Sequence, residues 1–153
     1  MVWFSEEQSA AAVMIHQLIT GWAHELDRNE GVTLAPFIAD DCVYMARGVP
    51  RHGPEGVLRF YRERLAELNQ QPAGPPTLRH VISNLLINFT GSDNASVDFL
   101  LTFYSSPKKP PVTDFQGPTA VADCHMDCSR GTDGRWRIAS FDSVQNFVAT
   151  AAG

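Results

Sequence analysis

Three cysteines in 153 residues, odd in number and without a regular spacing, exclude a disulfide framework and suit reduced, mostly buried thiols. That usage fits a cytoplasmic location. Apolar runs fall well short of the roughly 20 residues a membrane span needs. The polar, acidic stretch from Met1 to Ser9 lacks the basic n-region of a signal peptide. Positive charge is scarce too: 12 Lys and Arg against 17 Asp and Glu leave a net charge of −5. Neither nucleic acid nor an anionic membrane surface is expected as a partner of such a chain. The only basic doublet, Lys108-Lys109, lies among prolines and reads as a solvated loop. No phosphate loop or dinucleotide fingerprint is present, and Ser83 and Ser140 lack the Gly-x-Ser-x-Gly setting of a nucleophile elbow. No cofactor is called for. Asn88-Phe89-Thr90 and Asn94-Ala95-Ser96 match the glycosylation pattern, which a cytoplasmic chain leaves unused.

What is present is an ordinary globular composition, 44% hydrophobic and 19% charged. A chain of this length can bury roughly 70% of its unfolded surface, so residues 1–153 are expected to form one domain. Ser5 and Gln8 form a capping box that opens a helix over residues 6–26, with Ala11, Ile15, Leu18, Ile19, Trp22 and Leu26 as its apolar stripe. A shorter helical stretch is expected over residues 32–38 and a strand over residues 41–46. A third helix starts at Gly53-Pro54-Glu55, with Val57, Leu58, Tyr61, Leu65 and Leu68 on its apolar side. Its other side, Arg59, Arg62, Glu63, Arg64 and Glu67, reads as a solvated face. Strands follow over residues 78–89, 95–104, 119–129 and 136–147, separated by turns and a proline-dense loop. Helices first and an antiparallel meander afterwards describe an α+β domain with helices on one face of a curved sheet.

Asp27 and His80 are the leading candidate site residues. Asp27 lies at the border of the first helix's apolar stripe, above Ala23 and Ile19. Strict alternation puts His80 on one strand face with Leu78, Ile82, Asn84 and Leu86. A carboxylate that meets an imidazole in an apolar pocket makes a proton-transfer unit, since the anion orients the ring and stabilises its cation. Each residue also has a plain structural reading, a core histidine and a solvated helix-end carboxylate. Tyr44, Trp22, Asn84 and Met126 are candidates to contact a substrate, and Tyr44 fits a buried structural role equally well. Cys124, His125 and Cys128 invite a metal reading, but on one strand the two cysteines stand roughly 13 Å apart, too far for one zinc. No metal site is therefore expected. His125 shares its face with Asp123 and Asp127 and is read as an outer histidine, with a second catalytic histidine as the alternative. His16, His24 and His52 read as exposed.

The order of elements and several segments resemble the SnoaL-like branch of the nuclear transport factor 2-like superfamily. The segments are Trp22-Ala23-His24-Glu25-Leu26-Asp27, Phe37-Ile38-Ala39-Asp40-Asp41-Cys42-Val43-Tyr44, Gly53-Pro54-Glu55-Gly56-Val57, Leu78-Arg79-His80-Val81-Ile82-Ser83-Asn84 and Asp133-Gly134-Arg135-Trp136-Arg137-Ile138. Within that superfamily the sequence is most similar to enzymes of the scytalone dehydratase and hexachlorocyclohexane dehydrochlorinase kind. The resemblance implies a cone-shaped fold with a pocket between sheet and helices, and it matches Asp27 and His80 to an Asp-His dyad inside. Two departures stand out. The tyrosine that some dehydratases carry before the aspartate is Leu26 here, and the last-strand arginine of dehydrochlorinase-like relatives is absent from Ser140-Phe141-Asp142.

The expectation is a cofactor-free lyase or isomerase acting on a small hydrophobic or cyclic molecule, by loss of water or halide or by a ketosteroid-isomerase-like double-bond shift. A non-catalytic small-hydrophobe-binding module is the alternative from another class. So is a subunit resembling the small subunit of ring-hydroxylating dioxygenases. An epoxide hydrolase would need a second carboxylate and an arginine that the sequence does not identify. The resemblance also implies a homodimer through the outer sheet face, where strict alternation exposes Val81, Leu85, Ile87 and Phe89.

Overall fold

The structure is a computed structural model, and residues 3–150 are described. Helix α1 (Glu6–Asn29) begins with the capping box: the Ser5 hydroxyl accepts from the Gln8 backbone N–H at 3.1 Å, and the Gln8 side chain accepts from the Ser5 N–H at 3.0 Å. The helix runs three residues beyond the expected end, so Asp27 sits inside its last turn. Glu30, in the left-handed conformation, closes it. The expected second helix shrinks to one 3-10 turn, Ala35–Phe37, because Gly31 lies before it, Pro36 within it lacks the N–H a longer helix would use, and Ile38 already starts strand β1 (Ile38–Ala46).

Strand β2 (Val49–His52) was not legible in the sequence, since Pro50 argues against a strand. It forms at a sheet edge, where a missing N–H is tolerated. Arg47 and Gly48, both with positive φ, make the two-residue turn that joins it to β1. Helix α2 (Gly53–Asn69) buries Val57, Leu58, Phe60 and Tyr61. The long strands β3 (Thr77–Phe89), β4 (Asn94–Ser106), β5 (Ala120–Arg130) and β6 (Trp136–Val148) complete a six-stranded sheet in the order β2-β1-β6-β5-β4-β3. All neighbours are antiparallel except β1 and β6. Both helices pack on the inner face over a core that includes the fully buried Ile15, Ile19, Trp22, Val57, Met126 and Ile138.

Register breaks in β3, in β1 against β6 and twice in β5 against β6 bend the sheet into a cone. The break in β3, between Ser83 and Leu86, overturns two expectations. Asn84 takes a φ of 55°, and the side-chain alternation reverses beyond it. Asn84 and Leu86 are exposed rather than facing inward with His80. Leu85, Ile87 and Phe89 instead pack against the core, so of the expected outer apolar set only Val81 is exposed. A strictly period-two reading cannot anticipate an inserted residue.

Candidate active site

The Asp27 carboxylate and the His80 ring meet, with Asp27 Oδ1 2.6 Å from His80 Nδ1. The contact has a backbone cause. β3 is an edge strand, and the outward N–H of His80 has no strand to pair with. It donates instead to both Asp27 oxygens, at 3.1 Å each. One carboxylate thus holds the main chain and the ring of the same residue, which leaves the imidazole little freedom to turn. Both side chains are largely buried, 14% exposed for His80 and 12% for Asp27. With Nδ1–H donated to a carboxylate, hydrogen-bond logic assigns the lone pair to Nε2. Nε2 makes no hydrogen bond to any described residue.

The ring is wedged between aromatic neighbours, Phe103 at 4.7 Å and Trp22 at 6.3 Å between centroids. Phe103 is the cross-strand partner of His80 in β4. His80 lines a cavity of about 250 Å³ whose apolar wall includes Trp22, Leu26, Phe60, Leu101, Phe103 and Phe141. A second hollow of about 180 Å³ shares His80, Leu101, Phe103 and Ser143 with the first.

Trp22 and Tyr44, both proposed from the sequence, line the larger cavity. Asn84 and Met126 do not. Asn84 is turned outward by the bulge, and Met126 is sealed in the core at 0% exposure. Sequence reasoning missed Tyr61 and Arg64 of α2. Tyr61 was read as a packing residue and Arg64 as part of a solvated face. Arg64 is only 21% exposed, pairs with Glu30 at 3.2 Å, and lines the cavity with Arg47. A signal existed: Tyr61 and Arg64 are three residues apart on one helix, so they share a side.

Tyr44 and Tyr61 form a buried pair, Oη to Oη 2.7 Å, and Trp22 Nε1 donates to Tyr44 Oη at 3.0 Å. Burial pushes the Tyr61 hydroxyl up to about 12. Burial, with Tyr61 adding to it, raises that of Tyr44 well above the ordinary phenol value. Both remain protonated donors throughout the neutral range. Gly31 makes the position of Tyr61 possible: a Cβ there would stand 2.6 Å from the Tyr61 ring, and its φ of +75° also favours glycine.

The remaining chemistry-bearing residues lie elsewhere. His125 is on the outer face, 2.7 Å from Asp98 and 3.4 Å from Asp127. Cys42, Cys124 and Cys128 are buried, and desolvation pushes each thiol up to about 12, so none is a ready nucleophile. Among the described residues no group of three or more His, Cys, Asp or Glu is placed to hold a metal ion. None of their helices is long and apolar enough to cross a membrane.

This fold has relatives among known structures. The chain is similar to hexachlorocyclohexane dehydrochlorinase type 3 from Novosphingobium barchaimii, with 20% identity over 96% of this chain and 94% of that one and a TM-score of 0.75. It is similar to a putative scytalone dehydratase from Novosphingobium aromaticivorans, with 14% identity over 98% and 93% and a TM-score of 0.73. A protein from Catenulispora acidiphila in complex with S-DNPA matches at 21% identity over 90% and 95%, with a TM-score of 0.70. At these identities the likeness establishes the shared cone fold. No curated protein matches the sequence. The SnoaL-like domain family matches residues 7–142, nearly the whole chain, and the protein belongs to that family, within the nuclear transport factor 2-like superfamily.

Proposed function

We propose that the protein is a cofactor-free lyase or isomerase in which Asp27 and His80 abstract a proton from carbon in a small apolar or cyclic substrate. The observation that carries this reading is the doubly anchored imidazole on the wall of a mostly apolar cavity. His80 Nε2 takes the proton. Asp27 fixes the tautomer and stabilises the imidazolium that results, as a carboxylate does in any oriented acid-base pair. The electron pair left on carbon then expels water or halide, or moves a double bond, and the imidazolium can return its proton to the departing or rearranged group. Trp22 and Tyr44 would contact the substrate, since both line the cavity. The dehydrochlorinase and dehydratase named for similar structures fit the same chemistry.

The test is solvent deuterium uptake at the acidic carbon of 2-tetralone, followed by NMR. Wild type should accelerate exchange, and His80→Gln should fall to the buffer rate while keeping its circular dichroism. Equal rates for wild type, variant and buffer would overturn the reading and leave a cavity that only binds.

We also propose that two copies pair through the outer sheet face, where Val81, Leu86, Val144 and Phe147 are exposed. Sedimentation at a monomer's mass would refute that pairing.

A further inference from the structure

Counting donors around the tyrosine pair leaves one over. Three polar hydrogens meet there: the Trp22 indole N–H and two phenol hydroxyls. The indole hydrogen goes to Tyr44 Oη, and the phenol-phenol contact uses one hydroxyl hydrogen whichever ring supplies it. The other hydroxyl hydrogen finds no acceptor among the described residues. Both rings line the cavity, and Tyr44 and Tyr61 are only 1% and 8% exposed. A buried donor left unused is costly, so its natural partner is a guest in the cavity.

Which ring carries the spare hydrogen follows from polarisation. Donation from Trp22 into Tyr44 Oη makes the Tyr44 hydroxyl a better donor, and hydrogen bonds that run in one direction reinforce one another. The favoured order is Trp22 to Tyr44 to Tyr61, which leaves the Tyr61 hydrogen free. Tyr61 is also the less buried ring, and Arg64, whose charge acts on Tyr61, lines the same cavity.

We infer that Tyr61 Oη donates to a substrate oxygen, and that the substrate is an enolisable carbonyl compound rather than a halocarbon. This rests on the reading of the cavity as a substrate site. Removing a proton from the carbon beside a carbonyl breaks the C–H bond and moves its electrons into a C=C bond. Negative charge collects on the carbonyl oxygen while the proton rests on His80. A fixed donor is worth most where charge develops. Tyr44 and Trp22, besides lining the cavity, hold and polarise Tyr61.

The decisive experiment is equilibrium binding of 1-indanone and of indane, which share a ring frame but differ by one carbonyl, followed by tryptophan fluorescence. Tyr61→Phe should weaken 1-indanone about fivefold to tenfold, the worth of one hydrogen bond, and leave indane unchanged. The same difference should persist in a His80→Gln background. Failure of proton abstraction therefore does not touch this test, and failure here does not touch the dyad. Equal effects on both probes would overturn the inference, as would loss of ketone binding on Tyr44→Phe but not on Tyr61→Phe. The carbonyl stretch of 1-indanone bound to wild type gives a check that needs no variant. It should lie below its value in hexane, and an unshifted band would also overturn the assignment.

Discussion

The molecule holds two histidines against aspartates at nearly the same distance, His80 on Asp27 at 2.6 Å and His125 on Asp98 at 2.7 Å. Contact length does not distinguish them; surroundings do. His80 is 14% exposed, ringed by aromatics and fixed through its own backbone N–H. His125 is 47% exposed on the outer face, with a second carboxylate, Asp127, at its other nitrogen. Of the two, the first alone has a ring nitrogen without a partner among the described residues and a mostly apolar cavity beside it. An ion pair in water gains little, whereas the same pair in a dry, shaped site can move a proton at a chosen carbon.

Exchange of the histidines in turn should produce the largest contrast. His80→Gln is expected to lower the exchange rate of a carbon acid by about 10² to 10⁴, the usual worth of a general base. His125→Gln should leave the rate within experimental error. Parallel losses in both variants would make the outer pair part of the mechanism and collapse the distinction.

The aspartates sharpen the same point with a smaller effect. Asp27→Asn keeps one acceptor oxygen but turns the other into a donor and removes the charge that stabilises the imidazolium, so a loss of at most about 10⁴ is expected. Asp98→Asn should cost nothing in turnover. If Asp27→Asn is silent in steady-state exchange, the carboxylate only orients the ring, and the contrast rests on shape alone.

Smaller again, and read first in stability, is Gly31→Ala. It asks glycine's φ of +75° of an L residue and drives a Cβ into the Tyr61 ring. A cost of about 1–3 kcal/mol in denaturant unfolding is expected for the backbone strain. The surviving fold should bind 1-indanone more weakly, because Tyr61 has moved. Unchanged stability would mean that the turn relaxes without strain.

The fold was legible because its signals are local. Capping box, apolar stripe, turn residues and strand alternation each act over a few residues, and the expected strands over residues 78–89 and 136–147 differ from β3 and β6 by one residue at one end. The cavity was less so. Its wall draws on α1, β1, α2, β3, β4 and β6 at once, and no local pattern says that Phe60, Phe103 and Phe141 face one another. The errors have particular causes. Asn84 and Leu86 were misplaced by a bulge, and β2 was hidden by Pro50. Arg64 was assigned to solvent because its partner, Glu30, comes from a different helix end. The Asp27–His80 contact lay beyond spacing arguments altogether, since 53 residues separate the two and only the docking of α1 on the edge strand joins them.

The outer pair offers the finest test, through pH. Asp98's hydrogen bond, with Asp127 adding to it, raises the affinity of His125 for a proton against the opposing effect of partial burial. Folding therefore favours the protonated ring. That contribution is fully present below the ordinary imidazole value of 6.5 and is lost as pH rises through the higher folded value. Because nearly half of the side chain faces water, solvent screens the pair, and the change should amount to only a few tenths of a kcal/mol. Thermal melts of wild type and His125→Gln should then differ by a degree or two at about pH 5.5 and converge by about pH 8.5. A gap that stays constant across that range would mean that His125 touches its aspartates without gaining from their charge. The outer face would then contribute packing alone, and the two histidines would differ in kind rather than in degree.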